Sequence, residues 1–116
     1  MNHEVKTKWV AALRSGDYRQ GRGKLRDLEC ETPRHCCLGV LSDIYYKEIG
    51  EAWPEVPFGA LSPGLPTKDV RLWSGLSFLG ASDDKVVLNR FTLPLHIHND
   101  QGSSFADIAD AIESQL

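Results

Sequence analysis

Apolar positions divide the chain into segments of different period. In residues 3–15, Val5, Trp9, Ala12 and Leu13 recur at helical spacing, Lys6, Lys8 and Arg14 occupy other faces, and Gly16 follows as a stop. An amphipathic first helix is predicted there. From Cys37 onward Leu38, Leu41, Tyr45 and Ile49 fall on one stripe flanked by Val40 and Ile44, and Gly50 ends it, predicting a central core helix of about three turns. Ser104 precedes Phe105, Ile108, Ala109, Ile112 and Leu116, which define a final amphipathic helix with Asp107 at the capping-box position. Thr67 is an N-cap for a shorter helix through Val70, Leu72 and Trp73 to Gly75, with Asp69 in the first turn, where the helix dipole favours an acid.

Between these helices the period changes. Gly21 and Gly23 discourage helix, and Lys24 to Leu28 alternates polar with apolar, so a loop leading into a short strand is expected. Thr32, Pro33 and Arg34 signal a turn, after which His35 to Leu38 can return antiparallel to that strand. Residues 51–66 hold Pro54, Pro57, Pro63 and Pro66, which exclude helix and central strand, while Trp53, Val56, Phe58, Leu61 and Leu65 are too apolar for a disordered linker. The expectation is an ordered Pro-rich loop or lid. Lys85 to Leu88 and Leu93 to Ile97 read as extended on either side of Asn89 and Arg90, with Pro94 demoting the second to an edge or a turn and their pairing left open. The fold class that follows is α+β, one domain over residues 1–116. It is mainly helical, with three or four helices, a small antiparallel β-hairpin and a Pro-rich loop over one face, and the last helix packs with the first two.

At 116 residues and 12.9 kDa the chain can build its own core but cannot house a cofactor domain beside a catalytic one. No apolar run reaches the roughly 18 residues of a membrane span, and Met1 to Lys6 lacks a leader pattern, so a cytoplasmic protein with no membrane partner is expected. Cys30, Cys36 and Cys37 are an odd number with two adjacent, which suits free thiols in a reducing compartment. Charge is unevenly spread. Residues 6–26 carry seven cations against Asp17, a charge of +6, so with a net charge of −3 the remainder carries −9. The two ends can face each other within the fold or across a homo-oligomer, or the basic segment can attract an anionic partner.

Four constellations could carry chemistry. Cys30, His35, Cys36, Cys37, His96 and His98 are residue types zinc prefers, but adjacent cysteines do not form the usual knuckle, and no metal or other cofactor is expected. A Cys36 or Cys37 nucleophile with His96 or His98 as base and Asp100 as orienting acid is the enzymatic alternative; its rival is a buried cysteine leading a core helix and a polar strand face holding both histidines. Gln20 to Lys24 could cradle an anion on glycine amides and cations, with Tyr18 to stack and Arg14, Arg19 and Arg22 to pair with phosphates, although it matches no phosphate-loop motif and a solvated turn explains it as well. Asn99 to Ser104 reads first as a structural turn and cap, and otherwise as Asn99 and Asp100 facing a pocket in which Asp100 accepts from a ligand or binds Arg22.

Three blocks add a resemblance. Trp9, Leu13, Arg14, Ser15, Gly16, Tyr18, Gln20, Gly21, Gly23 and Leu25, then Cys36 to Leu41, then Asn99, Asp100, Gly102, Ser104, Phe105, Ile108, Ala109 and Ile112 resemble, in type and spacing, a family of small proteins of bacteriophages, prophages and some actinobacteria. Where many relatives carry a further cysteine this chain has Ser42. The resemblance implies a phage-type accessory protein and supplies no catalytic residues. The function expected is therefore non-enzymatic binding of a host component, a nucleotide-type ligand or a host protein, with nucleic acid as the less favoured partner. Its ligand-binding residues are expected to be Tyr18, Gln20, Arg22, Lys24, Asn99 and Asp100.

Overall fold

A computed structural model describes residues 1–28, 31–54, 66–76 and 85–116. Helix α1 spans His3–Arg14, and Asn2 caps it by accepting from the amides of Glu4 and Val5. Strands β1 (Arg19–Gln20), β2 (Arg26–Asp27) and β3 (Arg34–His35) precede α2 (Cys37–Ile49) and α3 (Lys68–Ser74). Strands β4 (Lys85–Leu88) and β5 (Phe91–Pro94), then α4 (Leu95–Asp100) and α5 (Phe105–Gln115), complete the described elements. The fold is mainly helical α+β, with five helices among the described residues.

The core forms where the apolar stripes meet. Trp9, Leu38, Val40, Leu41, Val70, Leu95, Ile108 and Ile112 are fully buried, and the Trp9 Nε1–H donates to the Cys37 carbonyl at 2.9 Å, pinning α1 to the start of α2. α5 lies chiefly against α1, with β4 and α4 beside it, while α2 contacts α1, α3 and α4. The expected packing of the last helix on the first two thus holds mainly for α1. α2 ends as its sequence predicts, at Gly50 with φ 72°, a left-handed conformation that glycine adopts without steric cost. Gly39 has a different role: a Cβ there would lie 1.7 Å from the Leu25 carbonyl oxygen, so the β2 segment and α2 approach to backbone contact.

The expected hairpin is present as the antiparallel pair β2 and β3, and β1 adds to the other side of β3 in parallel, giving the order β1-β3-β2. β4 and β5 form a second hairpin closed by Asn89 and Arg90, both with positive φ, the geometry that matches strand twist in a two-residue turn. Residues 93–97 depart from the extended reading. The strand stops at Pro94, whose fixed φ suits a helix start, and Leu95 to Asp100 wind into α4, so that Leu95, His98 and Asn99 share its buried side. Thr67 stands at the N-cap of α3 but turns its hydroxyl toward the Tyr46 hydroxyl, 3.4 Å away. The Pro-rich loop falls mostly in residues 55–65, outside the described residues, as does Cys30.

Candidate functional site

The small sheet sorts side chains into two rows, because residues in register on neighbouring strands point to the same side. Gln20, His35 and Arg26 form one row, and Arg19, Arg34 and Asp27 the other. The first row faces the protein: His35 is buried and Gln20 and Arg26 are half-buried. On the second, Arg19 and Arg34 are exposed.

Beneath the inner row lies a network centred on Asn99, which is fully buried. Its Oδ1 accepts from Gln20 Nε2 at 2.9 Å and from the Cys37 amide at 3.1 Å, while its Nδ2 donates to the Gly21 carbonyl at 2.8 Å and to Asp100 Oδ1 at 3.2 Å. Gln20 also donates to the Ser103 carbonyl, and the Gly23 amide donates to Asp100 at 2.9 Å. One buried amide thus ties the glycine loop to the first turn of α2 and the end of α4. Of the six expected ligand residues, Gln20, Asn99 and Asp100 come together here, but to hold one another.

The same geometry engages two amides of the expected anion cradle. The Gly21 amide donates to the His35 carbonyl at 2.8 Å and the Gly23 amide is taken by Asp100, so these two glycine amides are spent inside the fold. Arg22 and Lys24 are exposed, and Arg22 extends its guanidinium over Gly102 and makes no ion pair with Asp100.

Tyr18 belongs to a second cluster. Its hydroxyl donates to Asp43 Oδ2 at 2.6 Å, Trp53 Nε1 donates to Asp43 Oδ1 at 2.9 Å, and Lys47 Nζ sits 2.9 Å from the same carboxylate. Burial acts to raise the Asp43 pKa, but these three donors outweigh it and hold the carboxyl below its ordinary value. Burial, reinforced by Asp43, raises the Tyr18 pKa. The edge of Tyr18 meets His35 at 5.2 Å between ring centres, Trp53 lies 6.0 Å from His35 on another side, and Arg26 stacks over Trp53 at 5.2 Å. Neither His35 ring nitrogen has a hydrogen-bond partner, and burial pushes its pKa down. The sequence reading did not assign Asp43, Trp53, His35 or Arg26 to this cluster. The i,i+4 pair of Asp43 and Lys47 was the available signal.

The cysteines and histidines of the enzymatic alternative are spread through the backbone framework. Cys36 and Cys37 are both buried; the Cys36 sulfur caps α2 by accepting from the Gly39 amide, and burial pushes its pKa up to about 11. The Cys37 thiol donates to the Leu95 carbonyl at 3.6 Å, and His98 Nε2 bonds the Val86 carbonyl at 2.8 Å. His96 and His98 lie on helix α4 instead of the expected strand face, and His96 Nδ1 is buried without a hydrogen-bond partner. Among the described residues, no three His, Cys, Asp or Glu side chains stand close enough to share a metal ion.

Three other cations are paired, whereas the exposed Lys68, Lys85 and Arg90 are scattered singly over other elements without an ion pair among the described residues. Lys8 meets Glu48, Arg14 bridges Asp110 (2.6 Å) and Glu113 (2.5 Å) of α5, and Lys47 meets Asp43. Among the described residues, the ion pairs that join the basic segment 6–26 to the acidic helix α5 all run through Arg14. Arg19, Arg22, Lys24 and Arg34 are exposed and enter no ion pair among the described residues. A surface groove bordered by His3, Lys6, Val10 and Glu113 lies between α1 and α5 and shares no residue with this basic face. No helix among the described residues is long and apolar enough to cross a membrane.

No curated protein and no solved structure matches this sequence. Over residues 1–116 the chain does match the family described as a domain of unknown function (DUF8296), and it belongs to that family.

Proposed function

We propose that this chain is a non-enzymatic accessory protein of phage type, working in the cytoplasm of a bacterial host, that binds a host component through its basic loop. One observation carries the reading: Arg19, Arg22, Lys24 and Arg34 are exposed, enter no ion pair among the described residues and lie together on one short sheet and its loop. Four unpaired cations on one short sheet and its loop produce a local positive field on a chain of net charge −3. Gln20, Asn99 and Asp100 act in this reading as the frame that holds the loop, and Arg22 and Lys24 as the contacts. Of the two partner classes, the occupied glycine amides and the engaged Tyr18 hydroxyl favour a host protein over a nucleotide-type ligand.

The test is capture of host proteins on immobilised wild type and on Arg22→Glu, with circular dichroism to verify that both are folded. The substitution should abolish capture of a specific partner while leaving the spectrum unchanged. Equal capture by both proteins would sink the proposal.

A further inference from the structure

Arg19 and Arg34 are in register across the parallel β1–β3 pair, on the exposed side of the sheet. Like charges directly opposite on neighbouring strands repel and destabilise the pairing. Arg34 has Asp27 as its in-register neighbour on β2, but Arg19 stands on the edge strand with Arg34 alone beside it. Adjacent strands lie about 4.8 Å apart, so the two arginines leave the sheet from neighbouring backbone positions on its exposed side. Arg22 and Lys24 add exposed cations on the loop between β1 and β2, and Leu28, directly after β2, is 60% exposed.

We infer that the Arg19–Arg34 pair is the docking element for an acidic segment of a partner protein, whose carboxylates relieve the repulsion between the two arginines. This rests on the basic-face reading above and goes further by naming the strand pair and the chemistry of the partner. Three features favour carboxylates on a polypeptide over phosphates. A phosphate loop would present free glycine amides, and those of Gly21 and Gly23 are bonded to His35 and Asp100. A single-stranded nucleic acid needs open aromatic platforms, whereas Tyr18 is packed between His35 and Lys47, and Trp53 among His35, Tyr46 and Arg26. Arginine is among the side chains enriched at protein interfaces, and the exposed Leu28 at the end of β2 adds apolar area to the same small sheet.

The experiment measures thermal unfolding of wild type, Arg19→Gln/Arg34→Gln and Arg22→Gln/Lys24→Gln at low salt, each alone, with poly-L-glutamate and with oligothymidylate. Without additive, Arg19→Gln/Arg34→Gln should melt about 1–3 °C above wild type, and about 500 mM NaCl should erase the difference. Poly-L-glutamate should raise the melting temperature of wild type more than oligothymidylate does, and that gain should vanish in Arg19→Gln/Arg34→Gln. An unchanged or lowered melting temperature in that variant without additive overturns the proposal, because the pair is then not under strain. A poly-L-glutamate gain that survives Arg19→Gln/Arg34→Gln but is lost in Arg22→Gln/Lys24→Gln also overturns it while leaving the basic-loop reading in place. A gain that survives both variants removes both. Oligothymidylate stabilising as much as poly-L-glutamate overturns the assignment of an acidic protein segment.

Discussion

Replacing Asn99 by alanine is the most direct test of how the loop is held. The side chain is fully buried and makes four hydrogen bonds to three separate parts of the chain. Two of its partners, the Cys37 amide and the Gly21 carbonyl, are backbone groups. The Cys37 amide opens α2 and so has no partner within the helix. Losing the bond to each of these two buried backbone groups costs about 1–2 kcal/mol. The Gln20 amide keeps its bond to the Ser103 carbonyl and loses only about 0.5 kcal/mol. The sum is about 3–4 kcal/mol, a large part of the roughly 6–17 kcal/mol expected for a chain of this length. At about 4 °C per kcal/mol the melting temperature should fall by about 12–16 °C. Urea titration followed by tryptophan fluorescence gives the free energy directly, with an unchanged denaturant slope as the check that the same transition is observed. Asn99→Asp is the control. It keeps both accepted bonds but turns a carboxylate oxygen toward the Gly21 carbonyl and Asp100. The introduced carboxyl should then have a raised pKa, and the variant should regain stability as pH falls, when the acid form can donate to Gly21. A loss below about 1 kcal/mol for Asn99→Ala, or wild-type stability of Asn99→Asp at neutral pH, would refute the account of this network.

Other substitutions probe other parts of the fold. Gly39→Ala, which helix propensity alone would favour by about 1 kcal/mol, should instead cost at least about 3 kcal/mol because its Cβ meets the Leu25 carbonyl; a well-dispersed amide NMR spectrum and unchanged melting would contradict that contact. His35 is held neutral by burial and its pKa lies below the ordinary 6.5, so its contribution to stability is present above about pH 6.5 and is lost as pH falls through the folded-state pKa. The unfolding free energy of wild type should therefore drop more steeply below about pH 6.5 than that of His35→Phe, and parallel pH profiles would show that His35 is not the group responsible. In the native protein Cys36 should resist iodoacetamide at neutral pH and react only in denaturant, since its thiol is buried with a pKa near 11; rapid native labelling, located by peptide mass spectrometry, would reverse this.

The elements legible in the sequence were those whose information is local. In α1, α2 and α5 the apolar stripe, Gly50 and the Ser104 cap lie within one stretch of chain, and each helix forms where its stripe runs. Residues 93–97 were misread because Leu95 and Ile97 alternate with histidines over too few positions to separate a period of 2 from one of 3.6. β1 was not foreseen because a two-residue strand has no period, and its existence depends on pairing with β3 fifteen positions away at Arg34. Gln20, Asn99 and Asp100 stood out by residue type, but their destination did not. Gln20 and Asn99 are 79 positions apart, and only the packing of α4 against the glycine loop decides that they bond each other. The sequence by itself determined α1, α2, α3 and α5, the Gly50 and Ser104 caps and the surplus of cations, since propensity and capping act over a few residues. Tertiary structure decided which cations found carboxylates and which were left facing solvent, because a charge is neutralised by whatever the fold brings within about 4 Å, however distant in the chain.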